Sequence, residues 1–320
     1  MQNLLSIVII GKNEAKTLPR VFQSVLKASE VFSKYYNEYP DVIYVDSDSE
    51  DYSIKIAKKF SIKYKIIYGK SNAARGRIEG VKEVNSKYIF FLDGDTEVTE
   101  GWLLESVKIM EDNDKIAGLG GILKFNYYNK DKLVKRIDNY RGTNRNFQNI
   151  YDGVGGTFLY RLDVYNKAGG FNSKYKVGEE FDLMLRVLSL GYQVVRLKIK
   201  MAIHHDYKSL EESFIKRYLF THNILITGNI IRNLALNKIT FRYLLRRFWI
   251  YFLHIILIFL ILFFLPFKKY ILSMILIIIL FISHLVYKKF NVMRTIISLF
   301  TMNFYSIGLI LGILKIRSNN

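Results

Sequence analysis

The stretch YIFFLDGDTEV, residues 88–98, decides the fold. A largely apolar run leads directly into two aspartates separated by one glycine. Such a run is typical of a buried strand, and the glycine lets the backbone turn where the strand ends. Two carboxylates placed at one point repel each other unless a cation or a network of hydrogen-bond donors compensates them. The stretch therefore predicts a strand that carries an acidic site.

Similar apolar runs occur at residues 4–10, 42–45 and 64–68. Helical patterns lie between them at residues 18–28, 52–60 and 73–84. Strands that alternate with helices predict an α/β domain whose parallel sheet is covered on both faces. In such a sheet, ligands bind at the carboxyl ends of the strands.

Polar residues cluster at those strand ends, in Gly-Lys-Asn-Glu at 11–14, Asp-Ser-Asp-Ser at 46–49 and Asp-Gly-Asp at 93–95. Each cluster alone is also typical of an ordinary turn or helix cap. Together they favour a site for a divalent cation such as Mg2+ or Mn2+, which prefers oxygen ligands and often pairs carboxylates with substrate phosphates. We therefore expect Asp93 and Asp95 to bind a metal and a nucleotide diphosphate.

The C-terminal part has a different composition. Three apolar blocks, residues 248–265, 270–287 and 295–314, are each long enough to predict a membrane-spanning helix. A buried helical bundle is the alternative. Much of the net charge of +19 lies just before and between these blocks, which indicates contact with anionic lipid on the cytoplasmic side of a membrane rather than with nucleic acid. The chain has no cysteine, so disulfides and thiolate nucleophiles are excluded.

Five motifs in order resemble the family 2 glycosyltransferases, enzymes of the GT-A fold: SIVIIGKNEAKTLPRVFQSV, VDSDSED, NAARGRIEG, FLDGD and GGFNSKYKVGEEFDLMLRVLSLGYQV. The resemblance covers roughly residues 6–205 and implies a catalytic domain over residues 1–205. Basic interfacial helices are then expected over 206–247, where Ser-Leu-Glu-Glu at 209–212 forms a capping box, and a membrane region over 248–320.

The resemblance also implies roles for residues on the donor side. The nucleotide base and ribose are expected near Asn13, Glu14 and Asp46. Asp93 would lie near the ribose and the metal, with Asp95 as the principal metal ligand. The arginine that pairs with the diphosphate is either Arg75 or Arg77.

On the acceptor side, the family places a catalytic base where this chain has Glu180, although Glu179 is the alternative because the usual aspartate is replaced. Gly155 and Gly156 resemble the small-residue strand beside the acceptor. Asp182 is expected nearby, with a helix-surface salt bridge to Arg186 as the plain alternative.

Two adjacent histidines are the last expected site residues. His204 or His205 completes the metal site in the family reading, and a core histidine is the alternative for each. The expected activity is membrane-anchored, inverting transfer of one sugar from a UDP- or GDP-sugar to a lipid-linked or envelope glycan. Transfer to polyprenyl phosphate and an inert membrane scaffold are the alternatives. The expected location is the cell membrane, multi-pass, with the catalytic domain in the cytoplasm.

Overall fold

A computed structural model describes residues 2–129, 131–141, 147–149, 155–175, 178–207 and 238–287, with single residues at 292, 295 and 299. The elements are, in order, β1 Asn3–Gly11, α1 Leu18–Tyr36, β2 Asp41–Asp46, α2 Ser53–Lys59, β3 Lys63–Ile66, α3 Ala73–Val81, β4 Ser86–Asp93, β5 Thr96–Val98, α4 Trp102–Glu111, β6 Ile116–Asn129, β7 Lys132–Arg141, β8 Phe147–Asn149, β9 Phe158–Arg161, α5 Leu162–Lys167, α6 Glu179–Ser189, β10 Gln193–Asp206, α7 Lys238–Phe264 and α8 Tyr270–Tyr287.

The described strands form one sheet in the order β3-β2-β1-β4-β9-β6-β10-β5, with β7 beside β6 and β8 beside β10. The four strands β3, β2, β1 and β4 are parallel to one another, which confirms the predicted alternation of strands and helices. Beyond β4 the sheet is mixed, because β9 runs antiparallel to both β4 and β6. The observed class is therefore a mixed α/β fold.

The register of the parallel strands aligns their carboxyl ends. Gly11 lies opposite Asp46, and the preceding residue, Ile10, lies opposite Asp93. Three polar turns consequently begin at the same level of the sheet. This alignment is what brings distant parts of the sequence to one edge.

Strand β1 is buried on both faces, as expected of a central parallel strand. Leu5, Ile7 and Ile9 belong to a core cluster that includes side chains of α1 and α4. On the other face, α3 approaches so closely that a Cβ on Gly80 would clash with Val8. The sheet is thus covered by α1 on one side and α3 on the other.

The long hairpin of β6 and β7 was not anticipated from the sequence. Strand β6 contains Gly118, Gly120 and Gly121, and glycine weakens an isolated strand. Tertiary packing requires these glycines, since a Cβ on Gly120 would clash with the Phe158 ring and one on Gly121 with the Ile199 carbonyl. Close contacts with distant segments therefore outweigh the low strand propensity of these glycines.

The chain divides into two compact units, Met1–Ser213 and Phe214–Asn320. In the second unit, α7 and α8 pack together through Leu257, Ile261, Leu276 and Leu280. His254 Nδ1 and His284 Nε2, both buried, lie 3.1 Å apart.

No helix within the described residues is long and apolar enough to cross a membrane. The prediction of three membrane-spanning helices is therefore not supported. Two of the three apolar blocks lie in α7 and α8, which pack against each other through a small buried cluster, while many of their other apolar side chains are exposed. The third block lies largely outside the described residues, as do residues 208–237 of the expected interfacial region.

Candidate active site

The turn after β1 is bound to the turn after β2. Asn13, which has a positive φ of 57°, accepts a hydrogen bond from the Glu50 amide at Oδ1, and its own amide donates to Ser49 Oγ. Asp46 is fully buried and accepts hydrogen bonds from the Ser49 amide, the Ser49 hydroxyl and the Tyr44 hydroxyl. Both residues predicted to contact the nucleotide therefore also build the turns that would surround it.

Glu14 connects the first turn to the Asp-Gly-Asp turn. Its Oε2 accepts a hydrogen bond from the Thr17 hydroxyl at 3.0 Å, and that hydroxyl also lies 2.7 Å from the Gly94 carbonyl. The Gly94 amide donates to the Ile10 carbonyl at 2.7 Å. These contacts hold the turn between the two aspartates against the end of β1.

Arg77 lies at the centre of a buried acidic cluster. Its Nη2 contacts Asp93 Oδ1 at 2.8 Å, and its Nη1 contacts Glu179 Oε1 at 2.9 Å and Glu180 Oε1 at 3.9 Å. Its guanidinium also lies 5.3 Å from the ring centre of Phe171. Three carboxylates around one guanidinium explain how a side chain only 2% exposed keeps its charge.

Of the two candidate arginines, the structure brings Arg77 into the cluster. Arg75 lies on the same helix two residues earlier, so it points about 200° away at roughly 100° per residue. Its Nη1 donates to the Lys70 carbonyl instead, at 2.5 Å. The helical period therefore separates the two arginines, and Arg77 is the one beside Asp93. Which of them pairs with a diphosphate stays a prediction.

Gly156 lies against this cluster. A Cβ at this position would clash with the Asp93 carboxylate and with Arg77 Nη2. Gly155 has a positive φ of 79°, which favours glycine. Gly156 thus makes room for the Asp93 carboxylate and the Arg77 guanidinium, and Gly155 allows the backbone conformation before it.

The two glutamates that open α6 differ in environment. Glu179 is buried against Arg77, and burial together with the charge of Glu180 raises its pKa to about 7, although Arg77 opposes the shift. The Glu180 side chain is 21% exposed and makes only the longer 3.9 Å contact with Arg77. The more accessible carboxylate is therefore that of Glu180.

Asp182 is used within the fold. It forms an ion pair with Arg186 at 2.6 Å, and Arg186 Nη2 in turn donates to the Gly170 carbonyl at 2.7 Å. This arrangement anchors α6 to the preceding loop. It favours the salt-bridge alternative over direct contact with an acceptor.

Asp95 and His204 form a second pair on the other side of the Asp-Gly-Asp turn. Asp95 Oδ1 lies 3.0 Å from His204 Nδ1, and the Thr96 hydroxyl contacts both atoms at 3.1 Å. Burial alone would lower the pKa of His204, but the hydrogen bond and charge of Asp95 outweigh it and raise the pKa. The ring packs on Phe125 with centres 4.2 Å apart.

His205 points away from that pair, as alternation along a strand requires. Its Nδ1 lies 3.0 Å from the Tyr128 hydroxyl and 3.3 Å from Arg20 Nη1, and its Nε2 lies 2.7 Å from Glu97 Oε1. Its backbone amide donates to the Asp95 carbonyl at 2.9 Å. His205 therefore has the surroundings of a core histidine.

Asp95 and His204 carry ligand atoms suited to a divalent cation. Within the described residues, no group of three or more His, Cys, Asp or Glu is arranged to hold a metal ion. Asp95 Oδ1 and His204 Nδ1, however, are 3.0 Å apart, and adjacent ligands of an octahedral ion with bonds of about 2.1 Å are separated by roughly 3 Å. The pair fits two neighbouring ligand positions, with the remainder left to substrate and water.

Two contributors to the site were not identified from the sequence. Thr17 precedes the Leu-Pro start of α1 and carries a helix-cap signal, but its hydroxyl reaches the Gly94 carbonyl 77 residues away. Phe171 lies in the Gly-Gly-Phe-Asn motif and packs on Arg77. Only the tertiary structure shows that Thr17 supports the Asp-Gly-Asp turn and that Phe171 supports Arg77.

The sequence of the chain matches known protein families and a curated relative. The family model "Glycosyl transferase family 2" matches residues 6–169, and "Glycosyl transferase family group 2" matches residues 88–288. Glycosyltransferase AglE of Haloferax volcanii is 24% identical over 197 residues, which cover 59% of this chain. The match spans 63% of the length of that relative.

Solved structures show the same fold. TarS of S. aureus in complex with UDP-GlcNAc superposes with a TM-score of 0.55 at 15% identity, covering 72% of this chain and 67% of TarS. GalNAc-T7 with UDP, GalNAc and Mn2+ superposes with a TM-score of 0.52 at 17% identity, covering 64% of this chain and 43% of that one. With a family model matching more than half of its residues, the chain belongs to glycosyl transferase family 2.

Proposed function

We propose that this chain transfers one sugar, with inversion, from a UDP- or GDP-sugar to a lipid-linked or envelope glycan. The observation that carries the proposal is the convergence of the Arg77 cluster and the Asp95–His204 pair on either side of one turn. One group has the composition for acid–base work and the other for a metal and phosphates. The UDP-sugar in TarS and the UDP and Mn2+ in GalNAc-T7 support the donor class.

In this proposal Glu180 is the general base. Its carboxylate accepts the proton of the acceptor hydroxyl while the oxygen attacks the anomeric carbon, and the bond from that carbon to the diphosphate breaks. Glu179 and Arg77 hold the start of α6 in place, so that Glu180 keeps its accessible position. A single displacement inverts the configuration at the anomeric carbon.

Asp95 and His204 would hold Mg2+ or Mn2+, with Asp93 close by. When bound, the cation supplies charge stabilisation for the leaving diphosphate. His204 must lose its proton to act as a ligand, so its raised pKa predicts that metal affinity improves with increasing pH. Asn13, Glu14 and Asp46 are proposed to contact the nucleoside.

Location at the cytoplasmic side of the cell membrane is also a proposal. Its support is the basic composition around Arg242, Arg246 and Arg247 and the exposed apolar side chains of α7 and α8, among them Phe259, Leu262, Ile271 and Met274. Transfer to polyprenyl phosphate is the second acceptor class in this proposal.

The test is release of nucleoside diphosphate from a panel of UDP- and GDP-sugars by the full chain, with Mg2+, Mn2+ or EDTA. We expect release from one donor with a divalent cation and loss of release in EDTA. Asp95→Asn should remove the metal-dependent rate, whereas Asp112→Asn, at the exposed end of α4, should not. Release at an equal rate in EDTA would refute the metal assignment, and release by none of the donors would refute the function.

A further inference from the structure

Strand β5 directly follows Asp95 and determines where this residue lies relative to His204. The strand has three residues, Thr96–Val98, and among the described strands it pairs only with β10. Thr96 lies opposite His204, and the His205 amide extends the pairing through its hydrogen bond to the Asp95 carbonyl. The spacing of Asp95 and His204 therefore depends on how firmly β5 is attached to β10.

So short a pairing gives Asp95 little support from the backbone. Three residue pairs supply few hydrogen bonds, and segments of this kind open locally at a small cost in free energy. A metal site, by contrast, needs its ligands held within about 0.5 Å of the productive geometry. Side chains that fasten β5 to β10 close to Asp95 would supply the missing rigidity.

Glu97 and His205 form such a contact. Glu97 lies opposite Ile203, so His205 is its diagonal neighbour two residues further along β10 and within reach of a long side chain. Glu97 Oε1 lies 2.7 Å from His205 Nε2, and the His205 side chain is only 5% exposed. Because His205 follows His204, the contact lies at the same end of β5 as the candidate metal pair.

The His205 ring is also held from two other sides. Its Nδ1 lies 3.3 Å from Arg20 Nη1 and 3.0 Å from the Tyr128 hydroxyl. Because a guanidinium only donates hydrogen bonds, Nδ1 is the accepting nitrogen, and the neutral ring carries its hydrogen on Nε2, the atom that contacts Glu97. Arg20 Nε also lies 4.0 Å from Glu97 Oε1. Groups from α1, β6 and β5 thus fix one ring.

The far end of β5 is attached independently. The Thr99 amide donates to the Met201 carbonyl at 2.9 Å, and the Thr99 hydroxyl donates to the Lys200 carbonyl at 2.6 Å. The Val98 amide donates to Ser24 Oγ of α1 at 3.1 Å. Loss of the Glu97 contact should therefore loosen the end of β5 that adjoins Asp95 and leave the rest of the strand in place.

We propose that Glu97 and His205 are positioning residues for the divalent cation, because they fasten β5 to β10 so that Asp95 and His204 keep their 3.0 Å spacing. The proposal rests on the proposed function, in which that pair holds Mg2+ or Mn2+. Neither Glu97 nor His205 contacts the cation, and both act through Asp95. Replacing a residue that orients a metal ligand typically weakens the affinity for the metal by about 10- to 100-fold.

The first experiment measures binding of Mn2+ to the full chain by electron paramagnetic resonance. The part of the binding that Asp95→Asn removes is assigned to the site. Glu97→Gln should bind Mn2+ at this site at least about tenfold more weakly, because the end of β5 that adjoins Asp95 is no longer held. Its urea unfolding midpoint should equal that of the wild type, since the far end of β5 keeps its own contacts.

The matched control is Glu100→Gln, which removes the same charge from an exposed side chain three residues further along. Its affinity for Mn2+ should stay within about twofold of the wild type, because solvent screens an exposed charge. Equal affinities of Glu97→Gln and the wild type would overturn the proposal. An equal loss in Glu100→Gln would assign the effect to charge, and a lower unfolding midpoint of Glu97→Gln would assign it to general stability; either result would also overturn the proposal.

The second experiment tests whether the two residues act as one unit. Glu97→Gln, His205→Gln and the combined variant are compared by the same Mn2+ titration. The combined variant should lose no more affinity than the larger single loss, within about twofold, because one contact is removed in each case. Losses that multiply would overturn the proposal. If His205→Gln does not fold, the comparison of Glu97→Gln with Glu100→Gln decides between the outcomes.

Failure of this proposal and failure of the proposed function are distinguishable. If the wild type shows no Mn2+ binding that Asp95→Asn removes, the metal assignment of the proposed function is refuted, and this proposal with it. If such binding is present but Glu97→Gln leaves it unchanged, this proposal alone is refuted.

Discussion

Glu179 and Glu180 are adjacent in sequence, yet their carboxylates meet different surroundings. Glu179 is buried and hydrogen-bonded to Arg77, and Glu180 is the more exposed of the two. A general base must reach the acceptor hydroxyl, so accessibility favours Glu180. Glu179 is suited to holding Arg77 and the start of α6.

This difference predicts unequal effects of two matched substitutions. Glu180→Gln should reduce sugar transfer by about 10²- to 10⁴-fold while leaving the affinity for the donor nucleotide unchanged. Glu179→Gln should retain more activity, because glutamine can still accept a hydrogen bond from Arg77. Turnover assays with the donor that the nucleotide-sugar panel selects check this, and a larger loss in Glu179→Gln would make that residue the base.

Burial of Glu179 also predicts a pH dependence of stability. Its pKa is about 7 in the folded protein and near 4.5 in the unfolded chain, so the folded state holds the extra proton between these values. The free energy of unfolding should therefore fall as pH rises from 4.5 to 7. The glutamine side chain of Glu179→Gln cannot titrate, so the free energy of unfolding of this variant should fall less between pH 4.5 and 7.

The measurement is urea unfolding of the first unit at several pH values, followed by the fluorescence of the buried Trp102 in a Trp249→Phe background. The Glu179→Gln variant is compared with its parent in the same background. An identical decline in both proteins would show that Glu179 does not titrate in this range.

Helix α3 determines where Arg77 lies. The helix approaches β1 so closely that Gly76 and Gly80 face Ile10 and Val8 without room for a larger side chain. This close approach places Arg77 beside Asp93, the last residue of β4. The helical pattern could be predicted from the sequence, but the approach depends on the sheet being formed.

Gly80→Ala should therefore destabilise the first unit by about 1–3 kcal/mol, because the new methyl group would overlap with Val8. The control is Gly101→Ala, since a Cβ there meets no atom within 4 Å, and we expect a change within about 0.5 kcal/mol. Urea unfolding by Trp102 fluorescence measures both. Equal stability of the two variants would contradict the close packing of α3.

At the scale of the whole molecule, every residue of the candidate site lies in the first compact unit, Met1–Ser213. That unit contains the complete described sheet and the core cluster of α1 and α4. We therefore expect donor recognition to need only the first unit.

A chain ending at Ser213 should fold and bind UDP or GDP with an affinity within about threefold of the full chain, because both would present the same site. Far-ultraviolet circular dichroism tests the fold and calorimetric titration tests the affinity, with the full chain as the control. If the shortened chain folds but no longer binds a nucleotide that the full chain binds, the second unit contributes to the donor site.

The sequence by itself was sufficient to predict the parallel strands, the convergence of their polar ends and the family, because alternating periodicity and ordered motifs are local properties of a chain. It could not show that Arg77 rather than Arg75 contacts Asp93, that Glu179 is more buried than Glu180, or that the glycines of β6 belong to a strand. These outcomes depend on burial and on contacts between residues far apart in sequence, and only the tertiary structure brings such residues together.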